Sequence, residues 1–379
     1  MDFATSSKLA QTFLSKLQEP FVGRHEEALV ITLSILSREH AVLIGEPGTG
    51  KSAIARRAAS LINARFFKYL LTKFTEPSEL FGPLDIKKLR EGQYVRITKG
   101  KLPETEIAFL DEIFNANSAV LNSLLSIMQE RILYDGYNEI RVPLWTVIGA
   151  SNRIPEEPEL EALYDRFLYR IHVKPLDQDY WEQLLDAAWK IELGLSDNPR
   201  PVMTLEQVNQ IYKHVMSVDL NMIKPSFIKL LLTLENKGIH VTDRRKGKIL
   251  KAIAAHALLS GRKTANETDL IVLKYTVPRY PDDFEKINVI LVEELRTKER
   301  VLRELEEIRA NIESARRVIA RLHSFDPKLI DYMRNLKAAK TRVAALVKDF
   351  DDPEVVGMAE DIINTIDMMI EEVMAKMNM

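Results

Sequence analysis

Over roughly the first 178 residues, short runs of β-branched, aromatic and other apolar residues alternate with stretches in which apolar residues recur every three to four positions. That rhythm predicts a parallel α/β sheet with helices on both faces. The predicted core strands are 41–45 (AVLIG), 66–71 (FFKYLL), 107–111 (IAFLD), 146–150 (TVIGA) and 170–173 (RIHV). Each is short and rich in Val, Ile, Leu or Phe, as strands buried on both faces should be. Two excursions interrupt the rhythm. Between Leu80 and Pro103, Gly and Pro punctuation around Gln93–Thr98 predicts an inserted β-hairpin. From Ile132, ILYDGYNEIRVP predicts a second hairpin with Asp135-Gly136 as its turn.

From about 179 the pattern becomes helical. Asp243 is placed to cap a helix that starts at Arg244, with Gly261 as its stop signal, and prolines at 278 and 281 mark a break. Beyond 284 the chain is helical and charged. Leu329, Met333, Leu336, Val343, Val347 and Phe350 form one apolar stripe, with Lys340 at its skipped position. Val355, Ile362, Ile366, Ile370, Val373 and Met377 form a second, and Leu295, Leu302, Leu305, Ile312 and Ile319 a looser third. With breaks at Asp326-Pro327 and Asp351-Asp352-Pro353, this predicts three antiparallel helices packed on their apolar seams as a bundle or coiled coil. The expected division is 1–178 α/β core, 179–283 all-α domain and 284–379 C-terminal helical segment.

Charge and composition narrow the function. Lys and Arg number 53 against 55 Asp and Glu, a formal net charge of −2, which makes nucleic acid or a membrane surface an unlikely principal partner. The basic stretches Lys87-Lys88-Leu89-Arg90 and Lys99–Lys101 keep a nucleic-acid motor as the alternative function, although a solvated hairpin is the better account of them. There are no cysteines, so disulfides and thiol chemistry are excluded. No apolar run of transmembrane length occurs, and the first residues alternate polar and apolar unlike a signal peptide, so a soluble cytoplasmic protein is expected.

The strongest chemical signal is Gly45-Glu46-Pro47-Gly48-Thr49-Gly50-Lys51-Ser52, which fits G-x-x-x-x-G-K-[ST] between a predicted strand and a predicted helix. Its glycines let backbone N–H groups turn inward around phosphates at a helix N-terminus. Lys51 offers a point charge to the outer phosphates of ATP, and the Ser52 hydroxyl is a Mg2+ ligand. The strand 107–111 ends in Asp111-Glu112, where Asp111 would hold magnesium through water and Glu112 would orient or deprotonate an attacking water. The strand 146–150 leads to Asn152, a candidate contact for that water or the terminal phosphate, or else a turn residue. Arg166, in Leu163-Tyr164-Asp165-Arg166-Phe167, is either a surface ion-pair residue or an arginine finger given to a neighbouring subunit. Arg244 and Arg245 pose the same choice.

Taken in order, GEPGTGKS, FGP at Phe81, LPETEIAFLDEI, LNSLLSIMQER from Leu121, ASN at Ala150, EALYDRF from Glu161 and TDRR from Thr242 resemble the AAA+ ATPases of the MoxR family. TDRR, LLSGR and the LYDRF spelling are most similar to the RavA branch, and the likeness spans about residues 10 to 290. The resemblance implies an α/β P-loop AAA+ core with a hairpin inserted in its second helix, followed by an all-α lid. It implies Asn152 as first sensor, Arg166 as arginine finger, and Arg244, or Arg245 in its place, as second sensor. It implies hexameric rings that act as chaperone-like remodellers, commonly with a von Willebrand factor A domain protein. The C-terminal helices depart from the RavA pattern, so no partner carries over to them.

Overall fold

The apolar runs of the first half form strands of one sheet. In chain order these are β1 (His40–Ile44), β2 (Phe66–Leu70) and β3 (Ile107–Asp111), then, after a separate hairpin of β4 (Ile132–Asp135) and β5 (Asn138–Arg141), β6 (Thr146–Ser151) and β7 (Phe167–His172). The computed structural model describes every residue except 137, 194–198, 296–297, 321, 325, 349–351 and 379. The sheet runs β2-β3-β6-β1-β7 with all pairings parallel. Successive strand residues bury opposite faces. Val42, Ile44, Ala108, Leu110 and Val147 join one cluster with residues of the helices Ser118–Glu130 and Pro158–Arg166. Their alternates Ala41, Leu43, Phe109 and Ile148 are equally inaccessible on the other face, where the helices His25–Ser37 and Lys51–Ile62 pack.

β7 starts earlier than the apolar reading suggests, at Phe167, directly after the helix ending at Arg166. Its Arg170 is buried because its guanidinium donates to Pro278 O at 2.7 Å and Tyr164 O at 3.1 Å, so a charge that looked like a strand boundary lies inside the strand. The first insert departs from a plain hairpin. Pro83–Asp85 and Val95–Ile97 pair antiparallel through the single bridge Leu84↔Arg96, and the helix Ile86–Arg90, capped by the Asp85 carboxylate, fills the loop between them. In the second hairpin Asp135 pairs with Asn138 inside the ladder, so the turn passes through Gly136 at φ 61° rather than through Asp135.

The helical layer comprises Leu205–Val215, Lys224–Asn236 and Asp243–Leu259. The N-terminal helix Phe3–Gln18 ties it to the core. Ser6 Oγ lies 2.7 Å from His214 Nδ1, Gln11 donates to Leu259 O, and Lys16 O accepts from Arg57. Asp243 is the first helical residue rather than the cap; Thr242 occupies that position, and Asp243 instead pairs with Lys246. Gly261, at φ 79°, follows the helix end as expected.

Two compact units are distinct, Met1–Asn288 and Val289–Met379. The second contains the helices Lys298–Ile319, Lys328–Val347 and Pro353–Asn378. Leu329, Leu336 and Val343 bury with Val355, Ile362, Ile366 and Val373, as the stripes predict, joined by Val301, Ile308, Ala359 and Met369. Lys340, at the skipped position, pairs with Asp367 at 2.6 Å, and Arg342 reaches Glu304 at 3.6 Å. Together with Lys376 donating to Ile319 O, these contacts set the middle helix antiparallel to both neighbours. Phe350 and Asp351 lie outside the described residues.

Candidate functional site

The loop 45–50 leaves β1 at the carboxyl end of the sheet and enters the helix Lys51–Ile62. Gly45 is tied to Ser151 O, and a Cβ there would stand 2.2 Å from Val173 O, so no side chain fits. Gly48 and Gly50 both sit at φ 82°, and added Cβ atoms there would meet nothing within 4 Å. The left-handed turns thus form an open cradle of backbone amides, the geometry that receives phosphate. Lys51 folds back over this cradle. Its Nζ donates to Gly45 O at 2.8 Å and Glu46 O at 2.6 Å, with Thr49 Oγ1 at 3.3 Å. Partial burial pulls its pKa down, against the upward pull of Asp111 and Glu112. A cation clasped by carbonyls at the loop centre suits an arriving anion.

β6 lies between β1 and β3 in the sheet, so the ends of these three adjacent strands place Lys51, Asn152 and the Asp111-Glu112 pair along one edge. Glu112 occupies the left-handed region at φ 49°, ψ 46°, and its N–H is 3.2 Å from Asp111 Oδ1. A non-glycine residue held there is strained, a feature that clusters at functional sites. Burial pushes the Glu112 carboxyl pKa up and the Asp111 charge adds to this; Lys51 and Arg153 pull the other way. Arg153 is a residue the sequence reading passed over; its place directly after Asn152 was the available signal. Ser52 is on the first turn of the loop helix. No group of three or more His, Asp or Glu that could hold a metal occurs among the described residues. A hydroxyl and one carboxylate suit magnesium, which takes its remaining ligands from phosphate and water. A cleft of about 1020 Å³ adjoins this edge and is lined by Asn152, Arg153, His172 and Phe284 among others.

Arg166 and Arg244 lie elsewhere. Arg166 ends its helix immediately before Phe167, which is in register with His40 at the amino end of β1. A five-residue strand, about 16 Å long, therefore separates that end from the loop of the same chain. Arg166 and Arg244 share a second cavity of about 710 Å³ with Arg38, Arg131 and Arg141, and with Glu39, which pairs with Lys248 and Lys251. Burial lowers the pKa of Arg166, and the charge of Arg244 lowers it further. The buried Nε of Arg166 has no hydrogen-bond partner among the described residues, and its NH1 makes only a long contact to Ala162 O. In the same cavity, Arg131 is pulled down to about 10 by burial, reinforced by Arg38.

The two neighbouring arginines of the lid helix separate cleanly. Arg245 is buried and donates to Thr276 O at 2.5 Å, Leu168 O at 2.7 Å and Phe167 O at 3.0 Å, with Asp165 at 3.4 Å. It staples the helical layer to β7. Arg244 is exposed on the cavity side and makes no hydrogen bond or ion pair among the described residues.

Comparison with known proteins agrees with this architecture. Residues 7–213 match the family described as the MoxR domain in the MoxR-vWA-beta-propeller ternary systems, and residues 220–291 match an AAA lid domain. An uncharacterized protein of Methanocaldococcus jannaschii is 44% identical over 275 residues, 72% of each chain. The chaperone MoxR1 of Mycobacterium tuberculosis is 28% identical over 156 residues, covering 40% of this chain and 41% of that one. A crystal structure from Cytophaga hutchinsonii, provisionally described as an ATPase, aligns with a TM-score of 0.63 at 18% identity, over 77% of this chain and 96% of that one.

Proposed function

Since the chain belongs to the MoxR family of AAA+ ATPases, we propose that it hydrolyses ATP with magnesium in a hexameric cytoplasmic ring and uses the energy to remodel protein partners. The observation that carries this reading is the alignment of Lys51, Asn152 and Asp111-Glu112 on three adjacent strand ends. No helix among the described residues is long and apolar enough to cross a membrane.

In this mechanism the backbone amides of 45–50 receive the phosphates, and Lys51 swings from its carbonyl partners to the outer phosphate oxygens. Ser52, and Asp111 through water, would hold magnesium, which would supply charge neutralisation at the phosphates. Asn152 and Glu112 position the attacking water. As its oxygen bonds to the terminal phosphorus, the bond to the bridging oxygen breaks and the water's proton passes to Glu112, leaving ADP and inorganic phosphate. The raised pKa of Glu112 suits a proton acceptor. Arg166 enters from the next subunit and stabilises charge that develops in the transition state. Arg244, on the same cavity as Arg166, acts as second sensor on that neighbour's nucleotide.

The matched family is named for systems that include a von Willebrand factor A domain, which supports such a protein as the partner. The test is capture with Glu112→Gln, which should bind ATP without turning it over, against Lys51→Ala, which should not bind it. A von Willebrand factor A domain protein retained by the first and not the second supports remodelling. Hydrolysis stimulated by DNA and indifferent to protein partners would favour a nucleic-acid motor.

A further inference from the structure

Most cations around the cavity that holds Arg166 are already engaged. Arg131 donates to Met128 O and, at 3.2 Å, to Trp145 O. Arg38 lies 4.8 Å over the Trp145 ring, and Lys248 and Lys251 hold Glu39 at 2.8 and 2.7 Å. Arg141 lines the same cavity and is exposed, and its side chain makes no hydrogen bond, ion pair or ring contact among the described residues. In this it resembles Arg244, but it has no place in the reaction described above. An open guanidinium presents a planar fork of donors that fits phosphate oxygens.

The backbone fixes where Arg141 stands and what is joined to it. Arg141 is the last residue of β5 and is in register with Ile132, the first of β4, which also lines the cavity. The next residue, Val142, is buried, and its N–H donates to Arg131 O at 2.8 Å, so the base of the hairpin is fastened at the cavity. Three residues further along β4, about 10 Å away, Asp135 is 3% exposed and accepts from Arg96 Nε of the first insert at 2.7 Å. Arg96 also donates to Gly82 O at 2.9 Å, and Asn138 Nδ2 donates to Tyr94 O at 2.9 Å. A short ladder and a buried ion pair therefore join the base of the hairpin, where Arg141 stands, to the first insert.

We propose that Arg141 takes the terminal phosphate of a neighbouring copy's ATP beside Arg166, and that the hairpin it closes passes the presence of that phosphate to the first insert. This rests on the ATP site shared between chains proposed above. The chain has no cysteine, so Ile86→Cys, a position of the first insert that is 66% exposed, gives one attachment point for an environment-sensitive dye.

The test labels the full chain carrying Ile86→Cys and Lys51→Ala, which should not bind ATP itself, and mixes it with excess unlabelled Glu112→Gln, which should bind ATP without turning it over. Sedimentation shows whether the labelled copies have entered mixed assemblies. There the dye signal should change with ATP and change less with ADP. Adding Arg141→Ala to the labelled copy should abolish the ATP-specific part, and Arg141→Lys should keep some of it. Adding Arg96→Gln with Asp135→Asn instead should abolish it too, while the same two changes in an otherwise unaltered chain leave ATP hydrolysis intact. Arg141→Ala in an otherwise unaltered chain should slow hydrolysis about tenfold. An ATP-specific signal that survives Arg141→Ala, or none at all in mixed assemblies, would overturn the proposal and leave the shared site standing. Labelled copies that enter no assembly with ATP at any concentration would overturn both.

Discussion

The two ends of the sheet make opposite demands on their side chains. At the carboxyl end Lys51, Asp111 and Glu112 influence one another and are anchored by their own loop and strand. At the amino end Arg166 and Arg244 crowd other cations in a shared cavity, and burial works against the charge of Arg166. One end gathers a lysine with an acidic pair; the other holds an excess of positive charge, its Glu39 already paired with Lys248 and Lys251. The difference is what the proposed division of the ATP site between chains rests on: an anion-receiving loop at one end and an excess of arginine at the other.

The largest effects should separate these ends by kinetic signature. Lys51→Ala should remove nucleotide binding, seen as loss of fluorescent-ATP titration. Arg166→Ala should bind ATP normally and lose roughly 10³–10⁵ in kcat. Glu112→Gln should also bind normally and lose about 10²–10⁴ in kcat, because its loss is felt only at the attacking water. Equal affinity of wild type and Lys51→Ala would break the assignment.

Next in size is the contrast between adjacent arginines. Arg245→Ala leaves buried carbonyls of Thr276, Phe167 and Leu168 without their donor and should cost roughly 3 kcal/mol in denaturant unfolding. Arg244→Ala should change stability by less than about 0.5 kcal/mol while slowing hydrolysis. The reverse pattern would exchange their roles.

The pH dependence offers a finer probe. Because burial and Asp111 raise the Glu112 pKa, its base form is lost sooner as pH falls. The acid limb of kcat should therefore have a midpoint above that of an ordinary glutamate, and Glu112→Gln should abolish that limb in the residual rate. The smallest effect belongs to the C-terminal unit. Lys340→Ala removes a half-exposed ion pair with Asp367 and should cost less than about 1 kcal/mol.

The carboxyl-end half was the legible half. Its strands are buried on both faces and so spell themselves in apolar residues, and the glycines of 45–50 mark turns that other residues resist. The amino-end half is written in arginines whose burial the local sequence does not encode. Arg244 and Arg245 are neighbours in sequence, yet helix geometry turns one into the core and the other outward. Arg170 looked like the start of a strand because the carbonyls that satisfy it come from Tyr164 and from Pro278, more than a hundred positions away. The helix Ile86–Arg90 escaped notice because five residues are too few to show a period, although Asp85 was a visible cap. In the C-terminal unit the seams were readable since each helix repeats its stripe; Val301, Ile308 and Met369 joined them through packing alone.

The most direct test of a site divided between chains mixes two inactive variants. Arg166→Ala lacks the amino-end half and Glu112→Gln the carboxyl-end half. In mixed rings some interfaces join an intact Glu112 to an intact Arg166 of the neighbour. The account predicts that steady-state ATP hydrolysis rises on mixing to a measurable fraction of wild type, well above either variant alone. A mixture no more active than its components, under conditions where mixed rings are shown to form, would contradict it.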